Sequence, residues 1–443
     1  MAAAAQAVFS TARGIVMNLL NIVRSTGQAL ALMLAAPMLA QASTAYLKWV
    51  PVQAPVASGA TCGNGTPFHF FVNRAIGTRK TLIYFEGGGA CWQQRECLGK
   101  GKFSEVATNP NGVPANYFSQ INLAAFGLVS PMIWRLSPLN RTVTQSWNLV
   151  YVPYCTGDVH TGNAVGVYGD QTPSSPLTYY HRGHVNAQQV AKWVAANLPS
   201  DDLLVSGFSA GSTGATANYA MVRDTVRPAR SSMLNDAGPL FPAPQSSTAA
   251  QHPSLPLHNR IREAWGFDRP QGILSNLLAR YPGMDAVRTD LGALNNALAR
   301  QYPQDRFGYA VMQQDGVFSA FSYRLFNPDI AAISDTKTRD AAYNRLWRKD
   351  LANWTAQLDQ SPNIGYYVPL FRPLIKSHTL TTLDYAGTAI EDQGYRSIET
   401  FIQNTLDRSK PPIRAVERDQ VSDYFRPADG IQWLIYLFQD LLV

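Results

Sequence analysis

Residues 203–215 read LLVSGFSAGSTGA. An apolar run ends in a serine set between glycines, and small residues continue beyond it. Three readings compete: a nucleophile on a tight turn, a glycine-rich loop for phosphate, or a plain strand meeting a helix. Gly207-Phe208-Ser209-Ala210-Gly211 has the G-x-S-x-G form of a nucleophile elbow, and it lies between a strand pattern and a helix pattern, as that motif requires. Glycines suit the sharp turn because neighbouring chain passes too close for a Cβ. The helix after the turn aims its first amides at Ser209, so the Ala210 N–H becomes a candidate oxyanion donor. The phosphate reading fails on composition: no Gly-Lys-Ser/Thr ending follows and no lysine lies nearby.

Apolar runs of strand length surround this stretch: TLIYF (81–85), LVYVPYC (149–155), DLLVSGF (202–208), SMLND (232–236), FGYAVMQ (307–313) and IGYYVPL (364–370). Helical patterns fall at 185–198 and 210–226. The alternation predicts an α/β, α/β-hydrolase-like fold with a mostly parallel central sheet flanked by helices. Segments 100–145 and 238–305 are rich in Pro, Asn and Gly and read as insertions forming a cap over a site. No composition break divides residues 43–443, so they read as a single domain. The apolar segment 430–443 reads as a helix packed on the core, with dimerisation or a membrane contact as the alternatives.

A second glycine motif, Glu86-Gly87-Gly88-Gly89-Ala90-Cys91-Trp92, follows the run at 81–85. Serine hydrolases draw the remaining oxyanion donor from a glycine-rich loop after an early strand, which makes Gly88 and Gly89 the candidates. The order Ser, acid, His restricts the general base to His252, His258 or His378. The first two lie in the proline-broken QHPSLPLH; His378 follows the last strand and is preferred. Asp315, after the strand at 307–313, is the favoured acid to orient it. Asp236, which also ends a strand, is the rival.

The chain has 443 residues, 46% hydrophobic and 15% charged, with a net charge of +7. This is the composition of a globular protein with a large core. No Lys/Arg cluster accompanies the charge, which argues against nucleic acid as a partner. Residues 1–42 hold two arginines, the run ALALMLAAPMLA (29–40) and a small-x-small site at Ala40-Gln41-Ala42, the layout of a signal peptide. An uncleaved N-terminal anchor is the alternative, and no other membrane partner is expected. Export makes disulfides reasonable for Cys62, Cys91, Cys97 and Cys155. Three connectivities exist; the short spacing of Cys91 and Cys97 favours pairing them, which leaves Cys62 with Cys155. A metal site is not expected, since no Cys-x-x-Cys or paired-His spacing is present.

FEGGGACW-x4-C (85–97), VPYCTGDVHTGN (152–163), HRG (181–183), SGFSAGSTG (206–214) and LNDAG (234–238) occur together and in order. In these motifs the chain resembles the pectin acetylesterase/Notum family of carboxylesterases, in a bacterial-type form. The resemblance implies an α/β-hydrolase-like fold and a Ser-Asp-His triad on Ser209, Asp315 and His378. It implies an oxyanion hole from Gly88, Gly89 and Ala210, with Asp236 structural, and no cofactor. The expected activity is hydrolysis of ester substrates, short-chain or acetyl and including acetylated polysaccharide, outside the cytoplasm in the periplasm or the medium. A non-catalytic surface-binding protein on a hydrolase scaffold and an acyltransferase with the same triad are the alternatives. The small residues Gly89 and Ala90 favour short acyl groups.

Overall fold

In the computed structural model, residues 46–101, 107–120, 130–135, 141–372 and 376–418 are described. The expected signal peptide at 1–42 and the apolar segment 430–443 lie outside them. The apolar runs become strands because each is buried on both faces of one sheet. They are β3 (Lys80–Phe85), β4 (Asn148–Val152), β7 (Asp202–Phe208), β8 (Arg230–Asp236), β9 (Arg306–Ala310) and β10 (Ile364–Val368). β1 (Val50–Gln53), β2 (His69–Asn73) and β11 (Arg414–Val416) complete a nine-stranded sheet of order β1-β2-β4-β3-β7-β8-β9-β10-β11. β1, β2 and β4 pair antiparallel; every pairing from β4 through β3 to β11 is parallel. The early antiparallel edge, the crossover between β3 and β4 and the parallel remainder are an α/β-hydrolase-like arrangement. β5 (Ala164–Tyr168) and β6 (Leu177–His181) form a separate hairpin.

Helices cover both faces. α1 (Gly183–Asn197) and α2 (Ala210–Val226) match the helical patterns of the sequence. The 238–305 insertion holds α3 (Leu255–Ala264), α4 (Ile273–Arg280) and α5 (Leu294–Gln301). Sequence reading left this segment without elements, because its helices are only eight to ten residues long and α3 carries a proline in its first turn. α6 (Phe318–Tyr323), α7 (Thr336–Leu358) and α8 (Ile398–Leu406) follow. Trp265, Trp347 and Trp354 are fully buried where the insertion and α7 meet the sheet. Among the described residues no helix is long and apolar enough to cross a membrane.

Both expected disulfides are present, Cys62–Cys155 and Cys91–Cys97, closing sequence separations of 93 and 6 residues. By loop-closure entropy the first contributes about 5 kcal/mol and the second about 2 kcal/mol. Thermal melts of the two double Cys→Ala variants should therefore show the larger fall for Cys62/Cys155. The reverse order would contradict this assignment.

Candidate active site

β7 runs into α2 through Ser209, whose φ of 53° and ψ of −128° are strained for a residue with a Cβ. The chain around it explains the two motif glycines. A Cβ on Gly207 would lie 2.5 Å from the Phe85 carbonyl oxygen, and one on Gly211 would strike the same atom. The elbow therefore sits directly against the end of β3. Ser209 is partly accessible, Ala210 is buried, and α2 starts at Ala210. The Ala210 amide therefore opens the helix, at its positive end.

The glycine loop leaves β3 beside this elbow. A Cβ on Gly87 would lie 2.7 Å from the Phe208 carbonyl oxygen. Gly88 and Gly89 have φ of 154° and 71°, a backbone path that side chains resist. The Gly88 carbonyl accepts from the Thr108 amide at 3.1 Å and the Thr108 hydroxyl at 2.9 Å, which orients the peptide. Glu86 anchors the loop from below: its carboxylate accepts from the Tyr154 amide and the Tyr117 hydroxyl, each at 2.8 Å. Burial raises its pKa. Its carbonyl takes a 2.8 Å bond from His160 Nε2. Burial lowers the His160 pKa to about 4, so this ring is a neutral donor near pH 7. His160 is a structural prop. Beyond the loop, Cys91–Cys97 closes the chain and Trp265 Nε1 donates to the Cys91 carbonyl at 3.1 Å.

His378 Nδ1 lies 2.7 Å from Asp315 Oδ2. The other oxygen, Oδ1, accepts from the amides of Val317 and Phe318 at 3.0 and 2.8 Å, which locks the carboxylate at the start of α6. An acceptor-only carboxylate places the proton on Nδ1, so Nε2 carries the lone pair. His378 Nε2 is buried and has no hydrogen-bond partner among the described residues. The ring faces Phe318 with centroids 6.5 Å apart.

Asp236 does not compete for this role. Its Oδ1 accepts from the Leu380 amide at 2.7 Å; its Oδ2 accepts from the Thr381 amide at 2.8 Å and the Thr381 hydroxyl at 2.6 Å. Its carbonyl oxygen accepts from the Ser209 amide at 2.8 Å. One residue thus ties the serine turn to the histidine loop. That loop needs such ties, because Lys376, Ser377 and Thr379 all have positive φ. Arg372 supplies the rest: it is fully buried, pairs with Asp384 at 2.6 Å and donates to the Thr382 carbonyl at 3.2 Å. The Gly316 amide, bonded to the Lys376 carbonyl at 3.0 Å, joins the acid loop to the histidine loop. Sequence reading missed Thr108, Arg372 and Asp384, whose partners are set by loop geometry with no local pattern.

Among the described residues, the one cluster of His, Cys and carboxylate atoms at ligand spacing is Cys91, Cys97 and His181. Both sulfurs are joined in the disulfide. His181 is bonded through both nitrogens, to the Thr156 carbonyl at 2.9 Å and the Tyr168 hydroxyl at 2.7 Å. These three side chains do not make a ligand set.

The model of the pectinacetylesterase family matches residues 40–255, a range that includes the glycine loop and Ser209. Asp315 and His378 lie beyond it. The palmitoleoyl-protein carboxylesterase NOTUM of Homo sapiens is 24% identical over 169 residues, covering 38% of this chain and 30% of the human protein. The Mus musculus NOTUM is 23% identical over 267 residues, covering 57% of this chain and 45% of the mouse protein. The inactive notum1b of Danio rerio is 27% identical over 107 residues, 24% of this chain and 68% of that protein. The chain thus spans less than half the length of its human and mouse relatives. The solved structure of the Wnt deacylase Notum from Drosophila aligns with a TM-score of 0.49 at 16% identity, covering 84% of this chain and 96% of that one.

Proposed function

The chain belongs to the pectin acetylesterase/Notum family, and on that premise we propose that it is an exported serine carboxylesterase working through Ser209, His378 and Asp315. The observation that carries this reading is the buried His378–Asp315 pair. Its free Nε2 belongs to a loop that Asp236 fastens to the strained Ser209 turn. Ser209 Oγ attacks the ester carbonyl while His378 Nε2 takes its proton. Amides of Gly88, Gly89 and Ala210 bind the oxyanion. His378 then protonates the leaving alcohol, and Asp315 stabilises the imidazolium in between. Water, deprotonated by the same nitrogen, releases the acid and restores Ser209. The disulfides and the leader pattern support a site of action outside the cytoplasm.

The acyl group belongs in the apolar space between α2, α3 and α6. A small cavity is walled by Thr213, Trp265, Phe318 and Phe321. It adjoins a second that is almost wholly apolar. Val159, Thr213, Leu240 and Ile261 line both. Thr213 lies in the first turn of α2, and its amide bonds the Ser209 carbonyl at 3.2 Å. Apolar walls this near the Ser209 turn support an acyl chain longer than acetyl, where Gly89 and Ala90 alone favoured acetyl. Each further methylene buried adds about 0.8 kcal/mol.

A fluorophosphonate probe should label the protein, with the adduct mapped to the peptide carrying Ser209. An unlabelled Ser209 would leave the non-catalytic binding protein as the reading. Across p-nitrophenyl esters from acetate to laurate, kcat/KM should rise at least about tenfold by decanoate. A maximum at acetate would sink the medium-chain assignment and leave the esterase reading intact. Product analysis with added alcohol acceptors separates hydrolysis from acyl transfer.

A further inference from the structure

The smaller cavity is not uniformly apolar. His258 on α3 and Ser322 on α6 both line it, and both are buried, at 5% and 0% exposure. His258 Nδ1 and Ser322 Oγ have no hydrogen-bond partner among the described residues. Native proteins leave few buried polar atoms unpaired, and two from different helices on one cavity wall call for a ligand. Phe318 stands between the cavity and the proposed chemistry: it lines the cavity, and its ring centroid lies 6.5 Å from that of His378. We propose that His258 and Ser322 form a polar subsite for a hydroxyl carried on the acyl chain, so that the preferred substrates are esters of hydroxylated medium-chain acids. This inference rests on the esterase reading above.

The chemistry of the two groups selects the ligand. His258 is held neutral: burial first, then Arg262 and His252, lowers its pKa to about 4. A neutral imidazole nitrogen and a serine hydroxyl form a donor–acceptor pair of net zero charge. A carboxylate or ammonium group would enter this space without a counterion, which is costly. A hydroxyl matches both groups at once, donating to one and accepting from the other. A bare alkyl chain leaves both unpaired. Sites built around a hydrogen-bonding group reject analogues that lack it more strongly than hydrophobic pockets reject a missing methylene. Ser254 Oγ, on the same wall, is also buried without a hydrogen-bond partner among the described residues, but it neighbours the buried Asp350 carboxylate and favours its charged form.

The test compares p-nitrophenyl decanoate with its positional hydroxy isomers on the full chain. At least one isomer should exceed decanoate in kcat/KM by about tenfold or more. In Ser322→Ala and His258→Leu that ratio should fall toward one. A direct readout needs no turnover: Ser209→Ala should bind the favoured hydroxydecanoic acid about tenfold more tightly than decanoic acid by calorimetry. Isomers that never outrun decanoate, or a preference that survives both substitutions, would overturn the subsite and mean that water alone satisfies the pair. Absence of all ester turnover would instead strike the esterase reading, and the calorimetric comparison would still decide the subsite.

Discussion

Ser209→Ala should give a folded protein whose ester turnover is lower by on the order of 10^4-fold or more. Folding should survive because the hydrogen bonds of Ser209 among the described residues all use its backbone. Its amide donates to the Asp236 carbonyl, and its carbonyl accepts from the Ser212 amide and hydroxyl and from the Thr213 amide. Alanine keeps all four. It also keeps the Cβ, and with it the strain of a φ of 53°. Ser209→Gly separates the two effects. It should be as inactive as the alanine variant but more stable by about 1 kcal/mol, since only glycine adopts that backbone freely. Thermal melts and steady-state kinetics on both variants check this pair of results. Turnover within tenfold of the wild-type rate in Ser209→Ala would end the case for this nucleophile. A melt lower for Ser209→Gly than for Ser209→Ala would end the case for strain.

How much of this was legible follows from which interactions are local. The six apolar runs became strands because a parallel sheet buries both faces, and continuous burial leaves a continuous apolar word in the sequence. The elbow was legible because a turn pressed against the end of β3 excludes Cβ atoms, and glycine records that exclusion. The Cys91–Cys97 pairing was legible from spacing alone. The 238–305 insertion was not: α3 buries Leu255, Leu257 and Ile261, too few positions to fix a period beside two prolines. The preference for Asp315 over Asp236 as the acid had little local support: Asp236 ends β8, and Asp315 lies in the loop after β9. What separates them is that Asp236 meets Leu380 and Thr381 across 144 and 145 residues, a relation no local pattern records. The cavity and its polar pair were hidden for the same reason, since His258 and Ser322 come from elements 64 residues apart in the chain.

The two acids should respond in opposite ways to the same isosteric change. In Asp315→Asn the Oδ1 bonds from Val317 and Phe318 remain available to the amide oxygen. The amide nitrogen then faces His378 Nδ1 and donates to it. That fixes the proton on Nε2, the nitrogen that takes the serine proton in the proposed mechanism. Turnover should fall by about 10^4-fold while the melting temperature moves little. In Asp236→Asn no orientation is acceptable, because both oxygens already accept: one from Leu380, the other from Thr381 twice. One amide N–H must point at a backbone donor in a fully buried site. The cost is about 2–4 kcal/mol, read as a melting temperature lower by several degrees. Activity should fall with it, because the histidine loop loses its fastening to the serine turn. Kinetics of Asp315→Asn measured at a temperature where both variants stay folded isolate the chemical effect. If Asp236→Asn lost turnover without losing stability, or Asp315→Asn lost stability without losing turnover, the assignment of acid and anchor would have to be exchanged.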